Sequence, residues 1–516
     1  MLAARRLRFP LVSAATRALS SSLLPDDLVP PVAPTTKVRR GAGSDTLGRR
    51  LLSLIYPKRS AVVVLRKWAE EGKTIQKYQL NRVVRELRKY KRYKHALEIC
   101  EWMTTQQQIK LLPGDYAVHL DLVSKVRGLA SAQKFFEDLP IRMKGQSTCT
   151  ALLHTYVQHE LLDKAESLME EMSSHGLLRC SLPFNHMLTL YISKGEMSKI
   201  PNLLKDLKKY ASPDEITYNL WLSAFAKKVD VTGAEKVLHQ MSKDKIGPGW
   251  VTYSILANMY VKAVCHDKAR EALAEMEKRV FRKDREAYCS LISLHASLSD
   301  KDNVYRMWRK IKATFRKMSD TEYKCMLSSL TKLGDIDEAE RIYSEWETMS
   351  DTRDSRVPNI LLGYYITNDM FERAEKFLSQ ILEKGVKPSY TTWELFAWGN
   401  LDKNRMAKVL DCLRKALSSL EKWEPNVKLV KAVFSKIEET GNIEDAENFL
   451  VILRRAGYVT TEIYNSLLRT YEKAGRMPLI VAERMEKDNV VMDENTRHLL
   501  RLTSKLCIGE VSALIS

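Results

Sequence analysis

A repeated segment of 35 residues constrains the fold of this chain more than any other feature of its sequence. Three consecutive stretches, which begin at Glu215, Trp250 and Arg285, align with one another without gaps. Tyrosines near the stretch starts continue this spacing of 35 residues into the following stretch: Tyr218, Tyr253, Tyr288 and Tyr323. A period of this length indicates that one supersecondary unit is repeated along the chain.

Extending this register in both directions predicts twelve repeats of 33 to 37 residues. They begin at Lys77, Pro113, Gln146, Ser181, Glu215, Trp250, Arg285, Asp320, Ser355, Tyr390, Val427 and Thr461. The twentieth position tests the register independently of the tyrosines, because it holds only aliphatic residues: Ala96, Ala132, Ala165, Ile200, Ala234, Ala269, Val304, Ala339, Ala374, Val409, Ala446 and Ile480. Small residues at a fixed register predict a point where two helices approach closely.

Each repeat contains two blocks of apolar residues at helical spacing, separated by a short polar break. In the sixth repeat these blocks are TYSILANMYVKAV and KAREALAEMEKRV. One such helix pair cannot bury its apolar faces, whereas stacked pairs share a continuous core. The predicted fold class is therefore all-α: a right-handed superhelical solenoid of about twelve helix-turn-helix repeats, with a groove lined mainly by the first helices.

The chain is basic, and it begins with a composition typical of an organellar transit peptide. Its 83 Lys and Arg against 64 Asp and Glu give a net charge of +19, and removing residues 1–45, with their excess of four basic residues, leaves +15. The leader is rich in Arg, Ser and Ala, and Arg17 interrupts any apolar run that a secretory signal would need. We expect import into the mitochondrion, with the chloroplast as the alternative; a disordered leader without a targeting role is the simplest other interpretation.

These features divide the chain into four predicted parts. They are a transit peptide and disordered leader (1–45), a basic N-terminal helical cap (46–76), the repeat array (77–493) and a C-terminal capping helix or tail (494–516). No segment contains the roughly 18 to 20 apolar residues of a membrane span, so membrane insertion is not expected. The eight cysteines stand singly, and neither a glycine-rich phosphate loop nor an HExxH motif is present. We therefore expect no metal, no cofactor and no catalytic residue.

The repeats resemble the pentatricopeptide repeat (PPR) proteins of plant organelles, in the P class built only from 35-residue units. The resemblance extends from Lys77 to Asp493 and rests on the phrases ITYN, VTYS, KLGDIDEAERIYSEW and ILEKGVKPS. The 34-residue tetratricopeptide repeat shares the helix pair. The TYN-like start and the Gly-x-x-Pro-Ser/Asp end favour the pentatricopeptide form. The resemblance implies a mitochondrial RNA-binding solenoid.

Short polar side chains recur at the fifth position of the first helix, where an apolar residue would serve a core better. They are Asn185, Asn219, Ser254, Asn359 and Asn465. A carboxamide or hydroxyl there can hydrogen-bond the Watson-Crick edge of an unstacked base, which is how some helical repeats bind single-stranded RNA. A solvated helix face would explain any one of them, but their recurrence at one register favours binding.

The resemblance implies that this fifth residue selects a base together with the last residue of its repeat. The implied uridine readers are Asn185 with Asp214 and Asn465 with Asp493, the guanosine reader is Ser254 with Asp284, and the cytidine reader is Asn359 with Ser389. Asn219 with Gly249 and Asn81 with Leu112 are only half pairs, and the remaining repeats offer no standard pair. In the family, an aliphatic second residue wedges beside the base, and those present here are Leu182, Ile216 and Val251.

A basic cluster at the start of the array is expected to contact phosphates, which would make affinity fall with salt. Its members are Arg85, Arg88, Lys89, Lys91, Arg92 and Lys94. A solvated basic helix face is the alternative interpretation.

The sequence therefore predicts a protein that binds single-stranded organellar RNA without catalysis and acts in transcript stabilisation, processing or translation. A structural subunit of a ribonucleoprotein such as the mitochondrial ribosome, with ribosomal or other ribonucleoprotein components as partners, is the alternative. A protein-binding scaffold of the tetratricopeptide type is a more distant one.

Overall fold

The computed structural model describes residues 45–54, 60–349, 354–419, 423–478 and 480–513, with the backbone alone for 505–513. Every regular element in these ranges is a helix, which confirms the all-α class. The predicted transit peptide lies outside the described residues except for Asp45. The described helices form two compact bodies that divide between Phe281 and Arg282.

The N-terminal body contains fourteen α-helices among its described residues. They are α1 (Leu47–Leu52), α2 (Ala61–Glu70), α3 (Lys77–Lys89), α4 (Tyr93–Thr105), α5 (Pro113–Arg127), α6 (Leu129–Glu137), α7 (Gln146–Gln158), α8 (Leu162–Ser174), α9 (Leu182–Lys194), α10 (Ile200–Tyr210), α11 (Glu215–Lys228), α12 (Val231–Lys243), α13 (Trp250–Lys262) and α14 (His266–Arg279). Two short 3-10 helices, Ile141–Met143 and Met197–Lys199, lie between them.

The C-terminal body continues the alternation of first and second helices. Its described helices are α15 (Arg285–Ser297), α16 (Lys301–Thr314), α17 (Asp320–Leu333), α18 (Ile336–Met349), α19 (Pro358–Thr367), α20 (Phe371–Glu383), α21 (Tyr390–Asp402), α22 (Met406–Ser418), α23 (Val427–Thr440), α24 (Ile443–Arg455), α25 (Thr461–Lys473), α26 (Val481–Lys487) and α27 (Glu494–Ala513). From α3 to α25 the odd-numbered helices are the first helices of the repeats. Within each body, neighbouring first helices pack against each other and against their own second helices. None of the described helices is long and apolar enough to cross a lipid bilayer.

Side-chain caps explain why the chain turns at the same points in successive repeats. Asp214 precedes α11 and accepts a hydrogen bond of 2.7 Å from the backbone N–H of Thr217. Asp230 precedes α12 and accepts one of 2.9 Å from the N–H of Gly233. Such caps satisfy N–H groups that have no partner within the helix, so each begins a helix at a defined residue.

The twentieth position of each repeat is the packing point that its composition predicts. All eight of its alanines are fully buried: Ala96, Ala132, Ala165, Ala234, Ala269, Ala339, Ala374 and Ala446. Ile480, which the same register places in the twelfth repeat, is instead 62% exposed and precedes α26 in a left-handed conformation. Alanine has no side-chain atoms beyond Cβ, so a buried alanine lets two helix backbones approach closely. The twentieth position is therefore not a buried packing point in the last repeat, and the prediction is wrong there.

A recurring group of three polar residues joins successive repeats. The second helix of one repeat supplies a glutamate, which accepts hydrogen bonds from a tyrosine and a basic residue of the next repeat. Glu166 accepts from Tyr191 (2.9 Å) and Lys199 (2.8 Å). The same arrangement joins Glu235 to Tyr260 and Lys268, Glu340 to Tyr365 and Arg373, and Glu447 to Tyr471 and Arg484. These contacts fix each repeat on its neighbour through charge-assisted hydrogen bonds.

Glu447, the glutamate of the group nearest the C-terminus, should make the free energy of unfolding depend on pH. Burial alone would raise the pKa of Glu447, but hydrogen bonds from Arg484 and Tyr471 outweigh it and hold the pKa below its usual value of 4.5. The stabilisation is therefore fully present above about pH 4.5, and it is lost as the pH falls through the lowered pKa of the folded state. We expect Glu447→Gln to lower the free energy of unfolding by about 1 kcal/mol at neutral pH and by progressively less in acid.

Urea unfolding of wild type and variant at a series of pH values measures this difference. Glu483→Gln, at an exposed position on α26, is the matched control and should give no such dependence. A loss of stability in Glu447→Gln that stays constant down to the acid limit of folding would contradict the role of the ionised carboxylate.

Candidate nucleic-acid interface

The fifth-position residues predicted to read bases are buried or half-buried on their first helices in the described structure. Asn185, Asn219, Ser254 and Asn465 are 1%, 2%, 4% and 0% exposed, whereas Asn359 is half-buried. Polar groups at this depth need hydrogen-bond partners, because an unpaired buried amide is costly. The partners of each amide therefore determine which of its atoms remain for a ligand.

Asn185 on α9 contacts the two residues that begin the next first helix. Its Nδ2 donates to Asp214 Oδ1 at 3.3 Å, and its Oδ1 accepts from the hydroxyl of Thr217 at 2.7 Å. Thr217 also donates to Asp214 Oδ1 at 2.8 Å, so its one hydroxyl hydrogen is shared between two acceptors. The structure thus brings together the predicted pair Asn185 and Asp214 and adds a third member, Thr217.

Asn465 on α25 repeats this arrangement in the C-terminal body. Its Nδ2 donates to Asp493 at 3.3 Å, and its Oδ1 accepts from the hydroxyl of Thr496 at 2.7 Å. Hydrogen bonds from the side chain and the backbone of Thr496, together with that from Asn465, hold the pKa of Asp493 below its usual value. Asp493 therefore remains an ionised acceptor beside the amide well into the acid range.

Asn359 on α19 has hydroxyl groups as its partners. Its Nδ2 donates to Ser389 at 3.3 Å and to Thr391 at 3.0 Å, and its Oδ1 accepts from Thr392 at 2.8 Å. The structure therefore brings together Asn359 and Ser389, the implied cytidine reader. Thr392 is the third residue of α21, as Thr217 is of α11 and Thr496 is of α27.

Gly249, the last residue of repeat 5, has no carboxylate to pair with Asn219 on α11. A carboxylate of the same helix, that of Glu215, contacts Asn219 instead. The Nδ2 of Asn219 donates to Glu215 Oε1 at 3.3 Å, and Thr252 donates to its Oδ1 at 2.7 Å. A Cβ atom on Gly249 would lie 2.4 Å from Glu215 Oε1, so the glycine leaves the space that this carboxylate fills. Glu215 is thus a member of the site that sequence reasoning missed.

Ser254 and Asp284, the implied guanosine reader, belong to the two different bodies. Ser254 lies on α13 and is buried. Asp284 precedes α15, and its carboxylate accepts a hydrogen bond of 3.4 Å from the N–H of Ala287, which caps that helix.

The aliphatic second residues lie one turn before the reading positions. Leu182, Ile216 and Val251 are half-buried, and the first two pack on the edge of an apolar cluster in the N-terminal body. Each therefore retains some exposed apolar surface.

Two of the six residues of the basic cluster, which extends from α3 to the start of α4, form contacts within the protein. Arg88 pairs with Asp121 at 3.1 Å, and Arg92 donates to the backbone oxygens of Leu52 and Leu54. The side chains of the other four members are exposed: Arg85, Lys89, Lys91 and Lys94. The surface contribution of the predicted cluster is therefore smaller than its sequence implies.

Comparison with known proteins agrees with this architecture. A PPR repeat family model matches residues 213–262, and a PPR repeat model matches residues 147–177, 251–281 and 323–350. A mitochondrial pentatricopeptide repeat-containing protein of Arabidopsis thaliana is 57% identical over 92% of this chain and 89% of its own length. A second pentatricopeptide repeat-containing protein of that species is 34% identical over 87% of this chain and 94% of its own length.

Among solved structures, the pentatricopeptide repeat protein PPR10 from maize is 16% identical, with a TM-score of 0.46, over 88% of this chain and 71% of its own. The mitochondrial location of the 57% identical relative bears out the localisation predicted from the leader. Identity at this level over nearly the whole of both chains establishes the family. This chain is a member of the pentatricopeptide repeat proteins.

Proposed function

We propose that this protein binds single-stranded RNA in the mitochondrion and acts on transcripts by occupying a segment, without catalysing a reaction. The observation that carries the proposal is the recurrence of one polar arrangement between adjacent first helices. In it, an asparagine amide is held by a hydroxyl donor on its oxygen and by an acceptor on its nitrogen. Helical repeats that bind one base each use such side chains against base edges.

The chemistry of the arrangement suits a base. A carboxamide nitrogen carries two hydrogens, of which Asp214 accepts one from Asn185. The second hydrogen can donate to an acceptor atom on the Watson-Crick edge of a uridine. The carboxylate of Asp214 can in turn accept a hydrogen from the same base, directly or through a water molecule. Asn465 with Asp493 offers the same groups.

Phosphate contacts add affinity that does not depend on sequence. Exposed Arg85, Lys89, Lys91 and Lys94 supply positive charge at the start of the array. The net charge of +19 favours a polyanionic partner such as RNA. It gives less support to a protein-binding scaffold of the tetratricopeptide type. Binding through these residues should weaken as salt increases.

A role as a structural subunit of a ribonucleoprotein is favoured by the repeats that lack a reading pair. In repeat 8 the fifth residue, Lys324, forms an ion pair of 3.5 Å with the last residue, Asp354. In repeat 10 the fifth residue, Glu394, accepts a hydrogen bond of 3.0 Å from the indole of Trp423. Side chains paired in this way serve packing, so the array would recognise only a sparse pattern of bases.

Crosslinking and immunoprecipitation of the tagged protein from mitochondria, followed by sequencing of the bound RNA, distinguishes these roles. We expect a few sharp footprints that are lost in the double variant Asn185→Ala/Ser254→Ala. The control, Asn400→Ala, removes a buried first-helix amide outside the fifth position and should retain them. Broad ribosomal RNA signal that is insensitive to the double variant would identify a ribonucleoprotein subunit, and absence of crosslinked RNA would refute RNA binding.

A further inference from the structure

The amide of Asn81 in repeat 1 is oriented in the opposite sense to those of Asn185 and Asn465. Its Nδ2 donates to Asp115 Oδ1 at 3.1 Å, and Asp115 is the third residue of the following repeat. After repeats 4 and 12, the third residue of the next helix is instead a threonine, Thr217 or Thr496, whose hydroxyl donates to the amide oxygen. The same position therefore faces the nitrogen of one amide and the oxygen of the others.

The position of the carboxylate determines this orientation. A carboxylate can only accept a hydrogen bond, so it must face the amide nitrogen. In repeats 4 and 12 the carboxylate stands at the last position of the repeat, as Asp214 or Asp493, and the nitrogen turns toward it. In repeat 1 the last residue is Leu112, and the carboxylate that the amide contacts is Asp115, the third residue of repeat 2. The nitrogen consequently turns to the third position, which leaves the oxygen on the side of the last position.

Other contacts hold Asp115 firmly in this place. Lys77 lies 2.5 Å from its Oδ2, and the backbone N–H of Leu112 donates to the same oxygen at 2.8 Å. The side chain of Asp115 is only 13% exposed. The amide of Asn81 therefore meets a fixed acceptor, and rotating it would place its oxygen against that carboxylate.

The surroundings of Asn81 are suited to a nucleotide. Asn81 is half-buried, whereas Asn185 and Asn465 are almost fully buried. Arg85 lies one turn after Asn81 on α3 and is exposed. A cation one turn from a base-contacting side chain can contact the adjoining phosphate.

We propose that repeat 1 is a base-binding site of reversed hydrogen-bond polarity, in which the Asn81 oxygen accepts a hydrogen from the base. This inference rests on the proposed function. Where the amide nitrogen of Asn185 faces a keto oxygen, the Asn81 oxygen faces an exocyclic amino group. Cytidine and adenosine carry such a group at the position where uridine and guanosine carry oxygen. Repeat 1 therefore prefers amino-bearing bases over keto-bearing ones.

The test exchanges the two residues that orient the amide. The double variant Leu112→Asp/Asp115→Thr gives repeat 1 the same Asn, Asp and Thr as repeat 4. It also recreates the capping box that Asp214 and Thr217 form at the start of α11, so α5 gains a side-chain cap in exchange for the bond from Leu112 N–H to Asp115. Selection from a randomised single-stranded RNA pool with the full chain reports base enrichment position by position. The position that loses enrichment in Asn81→Ala is the one assigned to repeat 1.

We expect the wild-type protein to enrich cytidine or adenosine there by about fivefold, and the double variant to enrich uridine instead. The position assigned by Asn465→Ala serves as the control within the same molecule and should favour uridine in both proteins. If repeat 1 shows no preference, a keto preference in wild type, or no switch in the double variant while that control position still favours uridine, the inference is overturned. Absence of enrichment at every position would instead refute the proposed function.

Discussion

Replacing Asn185 and Asn465 together by alanine should weaken binding of an RNA selected by the wild-type protein by about 30-fold or more. Each substitution removes an amide that is oriented by a carboxylate and a threonine hydroxyl. Losing a base contact of this kind costs about 1 to 3 kcal/mol, and two distant contacts are expected to add. Because neither amide contacts a phosphate in this proposal, the dependence of affinity on salt should remain that of the wild type.

Fluorescence anisotropy with the selected RNA and with a scrambled RNA, at two salt concentrations, measures both quantities. Asn400→Ala is the matched control, since it also deletes a buried amide from a first helix, and it should leave both affinities unchanged. An equal loss of affinity for selected and scrambled RNA in the double variant would show that the amides do not distinguish bases.

Ala269→Leu should lower the free energy of unfolding by about 3 kcal/mol, the largest effect on stability that we expect from a single substitution. Ala269 occupies the twentieth position of repeat 6 on α14 and is fully buried. Three added carbon atoms there must displace the neighbouring first helix or take a strained rotamer, and such overpacking costs about 1 to 3 kcal/mol or more. In a stacked array the loss also weakens the contact with the adjoining repeat.

Denaturant unfolding followed by circular dichroism measures the change. Ile480→Leu tests the same register in repeat 12, where the side chain is exposed, and should change stability by less than about 0.5 kcal/mol. Equal effects of the two substitutions would show that the twentieth position is not a specific packing point.

The repeat period made the helix pairs predictable, because a spacing of 35 residues and a small twentieth residue both follow from stacking. The same register failed at Ile480, where residues around the start of α26 depart from the common geometry. Short α26 spans only Val481–Lys487, so the last repeat has a reduced second helix. Periodicity alone could not reveal this, since an aliphatic residue suits either environment. The division of the chain into leader, cap, array and tail stays a prediction.

The candidate site was predictable only in part. The fifth and last positions attracted attention because polar residues recur there, and the structure brings Asn185 to Asp214 and Asn465 to Asp493. The sequence did not predict that the third-position threonines contact the asparagines, because threonine is common near the start of a helix for other reasons. Their recurrence at one position in the register was the available signal. The contact between Asn81 and Asp115 could not be predicted from the sequence, because these residues are 34 positions apart and only the packing of α3 on α5 brings them together.

The depth of the reading amides has a kinetic consequence. Asn185 and Asn465 have almost no exposed surface, so under the proposed function a base would reach their amide nitrogens only through an opening between adjacent first helices. Association then proceeds through a minor open conformation, and its observed rate should level off at high RNA concentration at the rate of opening. A bound RNA would leave through the same opening, so the proposed function predicts slow release even where few bases are recognised. A sparse set of contacts can thereby protect an RNA segment by residence time rather than by affinity alone.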